Sequence, residues 1–198
     1  RALRWHLRGY RFESGRVHFN QHMSMHIYFA AHGTTTDNEN KIASGWKDVE
    51  LSDLGKQQAA EIEEQFRGIS IDLICCSDLK RATQTVQLAF GDKIPVIIDE
   101  RLRELNYGDY NGKPSEIIEK MKIQHIKKQF PNGESYEQAT LRTQEFYREL
   151  KEKYSDKTVL VVGHRATQYG LDTLIGGKNL EELLSVKFKW QPFWEYNF

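Results

Sequence analysis

The chain has 198 residues, 39% of them hydrophobic and 28% charged, with basic and acidic side chains in equal number. That length accommodates one domain with a buried core and is short for two. The longest apolar runs, such as Val159-Leu160-Val161-Val162, fall far below the roughly 20 residues that a helix needs to cross a bilayer, so no membrane span is expected.

The charge is unevenly spread. Residues 1–22 carry five arginines (Arg1, Arg4, Arg8, Arg11, Arg16) against the single acid Glu13, which leaves the remainder with a net charge of −4. A body of that sign does not take nucleic acid through bulk charge. The basic stretch has no clean periodicity, and Met23 and Met25 follow it. Residues 1–24 are therefore read as an appendage outside the fold, and residues 25–198 as the domain. His18, His22 and His26 fall at helical spacing, but no carboxylate or cysteine accompanies them and His26 is expected to open a strand, so no metal site is read there. The opening residues contain no apolar stretch of the kind a secretory leader carries. Cys75 and Cys76 are adjacent, poor material for a disulfide framework, and read as reduced core thiols of a cytoplasmic protein.

From residue 26 onward short apolar runs alternate with helical stretches. Residues 26–30 predict a first strand. A helix follows over 52–66, with Ser52 as N-cap and Ala59, Ala60, Ile62 and Phe66 on its apolar face. Residues 71–75 predict a second strand rich in β-branched residues, and 79–90 a second helix. A third strand spans 95–98. A longer helical excursion then occupies 115–130 and 135–154, joined by Pro131-Asn132-Gly133, and is expected to cover the site as a lid over about 115–154. Residues 158–162 form the cleanest buried strand, followed by a helix over 166–174 that Gly176-Gly177 closes. Residues 186–190 and 193–196 predict two closing strands around Pro192. Strands alternating with helices argue for an α/β three-layer sandwich, a mostly parallel sheet with helices on both faces.

In such a sheet the strands end along one edge, where open α/β proteins bind their ligands. Four strand ends carry chemistry: His32-Gly33 with Thr35 and Asn38, then Ser77 to Arg81, then Arg103-Glu104, then Gly163-His164-Arg165. Two imidazoles, a guanidinium and a carboxyl thus converge on one edge. Neither a Gly-x-Gly-x-x-Gly fingerprint nor a Gly-Lys-Ser/Thr loop is present, which argues against nucleotide binding.

The residues Phe29-Ala30-Ala31-His32-Gly33-Thr34-Thr35-Thr36-Asp37-Asn38 resemble the signature of the histidine phosphatase superfamily, the phosphoglycerate mutase-like fold. So do Gly45-Trp46, Asp48, Leu51 to Ala59, Ser77 to Thr85, Leu102-Arg103-Glu104 with Gly108 and Gly112, Gly133-Glu134-Ser135, and Val161-Val162-Gly163-His164. The resemblance runs in the family's order from residue 26 to at least 175. It implies His32 as a nucleophile that takes the phosphoryl group, its imidazole being available near neutral pH because the unperturbed pKa is about 6.5. It further implies that Arg81 binds the phosphoryl oxygens with its planar fork of donors. His164 would stabilise their charge in the transition state. Glu104 would protonate the leaving oxygen and later activate water, a task suited by the like charge of phosphate oxygens. Asn38, Thr35 and the backbone from Gly33 would add donors. The substrate implied is a small phosphorylated molecule, with neither metal nor cofactor.

Ala31 departs from the family's pattern, in which an arginine stands immediately before the nucleophilic histidine. Losing one charge-assisted bidentate contact costs about 2–4 kcal/mol, or ~30- to 1,000-fold in rate. Three readings stand: an introduced substitution, a natural change in a weakened member, or replacement by Arg165 reaching into the site. Because mutases usually carry larger insertions near the site, the 174 residues from Met25 onward favour a compact phosphatase. The alternatives are mutase-type phosphoryl transfer and a catalytically impaired member that binds phospho-ligands. Tyr107, Tyr110, Tyr136, Lys127 and Lys128 are candidate substrate contacts. The aromatic tail Trp190-Gln191-Pro192-Phe193-Trp194 either packs internally or forms an interface, which leaves a dimer open.

Overall fold

The computed structural model describes residues 24–198. The basic stretch, with His18 and His22, lies outside the described residues. In chain order the elements are β1 (His26–Ala31), α1 (Thr36–Glu39), β2 (Ile42–Ala43), α2 (Asp53–Gln65), β3 (Leu73–Cys76), α3 (Lys80–Phe90) and β4 (Val96–Ile98). They continue with β5 (Lys113–Pro114), α4 (Ser115–Met121), α5 (Tyr136–Tyr154), β6 (Thr158–Gly163), α6 (Arg165–Leu174), α7 (Leu180–Ser185) and β7 (Trp194–Asn197).

Five strands form one sheet in the order β4-β3-β6-β1-β7. All pairs are parallel except β1 with β7. The two-residue alternation of each strand divides the core into two layers. Ile27, Phe29, Leu73, Cys75, Val159 and Val161 face α5 and α6, where Phe146, Tyr147, Leu150 and Leu171 meet them. Ala30, Ile74, Cys76, Leu160 and Val162 face α2 and α3, against Ile62, Phe66, Val86 and Phe90. Strands buried on both sides read as continuous apolar runs, which is why β3 and β6 are so apolar throughout. Both cysteines are buried in this core, and burial pushes their thiol pKa values up.

Ser52 caps α2 by accepting from the Gly55 amide, as expected for that residue type. Ser135 and Gln138 form a reciprocal capping box that starts α5. Gly33 and Gly55 let the β1–α1 turn and the start of α2 approach closely: a Cβ on Gly33 would lie 2.4 Å from the Gly55 carbonyl oxygen.

Three expectations change. Residues 186–190 are not a strand: the segment follows α7, and Val186, Phe188 and Trp190 are drawn to the cavity wall, with Phe188 packed against Trp194, instead of joining a sheet. The helix expected over 115–130 ends at Met121. The carbonyls of His125 and Ile126 accept from the amides of Tyr136 and Glu137 at the start of α5, so they are not free for a helical ladder. The lid expected over 115–154 therefore divides: α4 and Tyr136 at the start of α5 border the cavity, while the rest of α5 packs Phe146, Tyr147 and Leu150 into the sheet's core. The aromatic tail packs internally, with Phe193 edge-on to Tyr28 and Trp194 against Phe29.

Candidate active site

The carboxyl ends of β1, β3 and β6 open onto a cavity of about 740 Å³. Parallel pairing sets their level: Ala31 lies opposite Gly163, and the His32 amide donates to the Gly163 carbonyl at 3.0 Å. His32 and His164 thereby leave adjacent strands side by side, with ring centroids 4.9 Å apart.

Hydrogen bonds orient His32 and Arg81. The Nδ1 of half-buried His32 lies 2.7 Å from the Gly33 carbonyl oxygen. A carbonyl can only accept, so Nδ1 carries the proton and Nε2 keeps its lone pair. Arg81, 2% exposed, donates from Nε to His32 Nε2 at 3.2 Å. Its other two nitrogens donate to the carbonyls of Lys47 and Gly45 at 2.9 and 2.8 Å, which fixes the plane of the fork. His164 is 1% exposed, and neither ring nitrogen has a hydrogen-bond partner among the described residues. Buried polar atoms of that kind are rare away from functional sites.

Glu104 approaches from the loop before β5. Its Oε1 accepts from the Leu105 amide at 2.7 Å and the Ala166 amide at 3.3 Å, and its Oε2 from the Arg165 amide at 3.3 Å. The carboxyl thus sits on the amino end of α6, held in place by three backbone amides. Its loop is stapled from behind: Trp46 Nε1 donates to the Glu104 carbonyl at 2.6 Å, and Arg142 donates to the carbonyls of Arg101 and Arg103 at 2.7 and 3.2 Å.

The electrostatics favour neutral imidazoles. Burial, and then the Arg81 guanidinium, pull the His32 pKa down to about 3, against a smaller opposing effect of the bond to the Gly33 carbonyl. Burial lowers His164 well below its usual value, helped by Arg81 and His32. A lone-pair nitrogen beside a guanidinium is suited to attack an electrophile whose anionic oxygens the guanidinium holds.

The remaining candidates are placed as follows. Asn38 borders the cavity, with its Oδ1 accepting from the Thr35 amide at 3.0 Å. Thr35 is buried, and its Oγ1 accepts from the Asn38 amide at 3.1 Å. The Gly33 amide donates to Thr85 Oγ1 at 3.0 Å, and the Thr34 amide to Gln58 Oε1 at 2.7 Å. The backbone donors expected after His32 are thus engaged in holding the turn, which makes Thr35 and Gly33 supports of the site. Arg165 borders the cavity, with its guanidinium 4.8 Å from the Tyr169 ring centroid and its Nη1 2.6 Å from Gln168 Oε1. Ala31 also borders it, with no group that reaches an anion. Tyr107 and Tyr136 line the wall; Tyr110, Lys127 and Lys128 do not. Lys122, Tyr169, Phe188 and Trp190 line it too, brought there by folding, with no signal in the sequence order.

A mostly parallel sheet with a cavity at its carboxyl edge defines an α/β protein of the open-sheet kind. Residues 27–189 match the histidine phosphatase superfamily (branch 1), and the chain belongs to that superfamily. PhoE, a phosphatase of Bacillus subtilis (strain 168), is 32% identical over 156 residues, covering 78% of this chain and 79% of its own. A 2,3-bisphosphoglycerate-dependent phosphoglycerate mutase of Cytophaga hutchinsonii is 33% identical over 151 residues, or 70% of this chain and 71% of its own. Bacillus stearothermophilus YhfR superposes with a TM-score of 0.76 at 25% identity, over 86% of this chain and 90% of that one. The α-ribazole phosphatase of Shigella flexneri gives 0.73 at 25% identity, over 84% and 87%.

Proposed function

We propose that the chain is a phosphomonoester hydrolase working through a phosphohistidine at His32. The observation that carries this reading is the His32 tautomer, with Nδ1 held by the Gly33 carbonyl and Nε2 facing the Arg81 guanidinium. In the first step the hydrogen bond from the Arg81 Nε–H passes from Nε2 to a phosphoryl oxygen, the freed Nε2 lone pair bonds to phosphorus, and the ester oxygen–phosphorus bond breaks. Arg81 and His164 stabilise the phosphoryl oxygens, and Glu104 gives the leaving oxygen its proton. In the second step Glu104 takes a proton from water, the water oxygen bonds to phosphorus, and His32 leaves with its lone pair restored. This chain's own residues complete both steps without net change in the site. Asn38 adds one donor through Nδ2. Arg165 is not needed for the phosphoryl group in this scheme, because Gln168 and Tyr169 hold its guanidinium on the wall.

Ala31 sets the expected rate. With one arginine in place of two, turnover should lie ~30- to 1,000-fold below that of the Ala31→Arg variant, from the loss of one bidentate charge-assisted contact. Phosphate release from phenyl phosphate by both proteins tests this, with acid-labile phosphate on His32 sought by rapid quench and mass spectrometry. A gain below threefold would show that the site has no need of that arginine. Phosphoryl exchange between phosphoglycerates without phosphate release would replace hydrolysis by mutase chemistry. Ala31 also favours a second reading, a member that binds phosphorylated ligands without turnover. Phosphate-analogue binding with no hydrolysis, even in Ala31→Arg, would establish it.

A further inference from the structure

Arg165 follows His164 directly, yet the hydrolytic scheme leaves its side chain without a task. Its guanidinium is 4.8 Å from the Tyr169 ring centroid and 5.4 Å from that of Phe188. Its Nη1 donates to the neutral amide oxygen of Gln168, at 2.6 Å. Among the described residues no carboxylate lies within salt-bridge distance of it. Two ring faces and an amide thus orient a half-buried cation without neutralising it.

The cavity around it shares that sign. Lys122 and Lys187 border the same cavity, and among the described residues the only acids bordering it are Glu104, which three amides hold, and Glu119, which pairs with Lys122 at 2.6 Å. A cationic wall inside an otherwise acidic body focuses anions. Position matters as much as charge. The Arg165 amide bonds Glu104 Oε2, so Arg165 begins where the proton-donating carboxyl marks the departure of the leaving group. Glu104 and Arg165 border the same cavity, so a group leaving past Glu104 stays within a space that Arg165 lines.

We infer that Arg165 forms a second anion subsite, and that the substrate is a phosphomonoester whose leaving group carries a further anionic group, a carboxylate or a second phosphoryl. Placing the leaving group relies on the hydrolase reading, but binding at the subsite does not depend on turnover. Lys187 reinforces the field, and Tyr169 and Phe188 cover the apolar part of the leaving group while keeping the guanidinium in plane.

Three non-hydrolysable probes test the inference by calorimetry: benzylphosphonate, 4-carboxybenzylphosphonate and 1,4-xylylenebisphosphonate. The native chain should bind at least one doubly anionic probe about tenfold or more tightly than benzylphosphonate, the gain of one hydrogen-bonded ion pair. Arg165→Gln should reduce that advantage to within about twofold, and Arg165→Lys should retain part of it, since a point charge lacks the fork. A gain with the carboxylate alone, or with the bisphosphonate alone, names the second group. Equal affinity for all three probes in the native chain overturns the inference, as does an advantage that survives in Arg165→Gln. Failure of every probe to bind overturns it too. Probe discrimination without hydrolysis of phenyl phosphate, even in Ala31→Arg, would leave the subsite standing and remove the hydrolase reading.

Discussion

Removing the guanidinium of Arg142 should damage the site from behind, without touching the cavity. Arg142 lies on α5 and forms a two-pronged ion pair with Glu134, through Nε at 2.8 Å and Nη2 at 2.9 Å. The same group donates to the carbonyls of Arg101, Arg103 and Glu104 at 2.7, 3.2 and 3.3 Å. Both side chains of the pair are 18% exposed, so the pair is largely desolvated. Arg142→Ala strands the Glu134 carboxylate with the Asn106 amide at 3.0 Å and leaves the carbonyls of Arg101 and Arg103 without this donor. Breaking a buried pair by deleting one partner costs about 3–5 kcal/mol, and the residual exposure favours the lower end. At roughly 2–4 °C per kcal/mol for a chain of this size, the melting temperature should fall by about 6–12 °C. The kinetic consequence is more specific. A slack loop misplaces the Glu104 carboxyl, and general acid catalysis is worth about 10²–10⁴-fold only when the leaving group needs a proton. Hydrolysis of phenyl phosphate should therefore fall at least tenfold more than that of 2,4-dinitrophenyl phosphate, whose leaving group departs unprotonated. Arg142→Lys should recover stability better than it recovers this ratio, since it restores charge without the fork. Equal losses on the two esters would refute the assignment of the loop to proton delivery, and an unchanged melting temperature would refute the packing argument.

Two further outcomes follow from the site's geometry. His32 is pulled down to about 3 from its usual 6.5, so the folded state resists protonation of a group that the unfolded chain protonates readily. Stability from this source is complete above pH 6.5 and is lost as pH falls from 6.5 towards 3. Nitrogen NMR of the folded protein at pH 5.5 should show His32 neutral, with the proton on Nδ1, and a titration midpoint near 6.5 would contradict the burial argument. Gly33→Ala places a Cβ 2.4 Å from the Gly55 carbonyl oxygen, a backbone atom that cannot rotate away. It should destabilise the fold by about 1–3 kcal/mol, measurable by denaturant melts, through displacement of the turn that carries His32.

Much of this architecture is legible in the chain's order because its determinants are local or periodic. The continuous apolar run of β6 announces a strand buried on both faces, and Ser52 marks the start of α2 by its own side chain. His32, Arg81, Glu104 and His164 can be placed on one edge because parallel strands impose a common direction. What stays hidden depends on partners far along the chain. Residues 186–190 alternate apolar and charged side chains as a strand would, but alternation does not reveal that the cavity wall, and no sheet, takes up the segment. The early end of α4 depends on amides from Tyr136 and Glu137, more than ten residues downstream. Arg142 lies 38 residues from the Glu104 carbonyl, and nothing in its neighbourhood on α5 indicates that it serves another loop. The wall of Tyr169, Phe188 and Trp190 is assembled by folding alone.

Position 31 shows how the fold and the chemistry separate in this chain. Its backbone pairs with Gly163 at the end of β1, and the residue is buried against the sheet's core while bordering the cavity. The ladder that positions His32 therefore depends on the backbone of residue 31 and hardly at all on its side chain. An arginine there would change the field at the inner end of the cavity without changing the register that aligns His32 with His164. With alanine, Arg81 supplies the nearby permanent positive charge, and two neutral imidazoles complete the inner end. A phosphoryl dianion would draw a proton onto one of them, because a neighbouring anion favours the charged form of histidine. His164 is the better placed to take it, since both of its ring nitrogens are unpartnered and His32 Nε2 is engaged by Arg81. In the family's arrangement a second guanidinium supplies that charge permanently; here His164 would supply it only when the anion arrives. On the proposed scheme, the expected consequence of Ala31 is a site whose anion binding is coupled to proton uptake, built on a fold whose register residue 31 sets through its backbone.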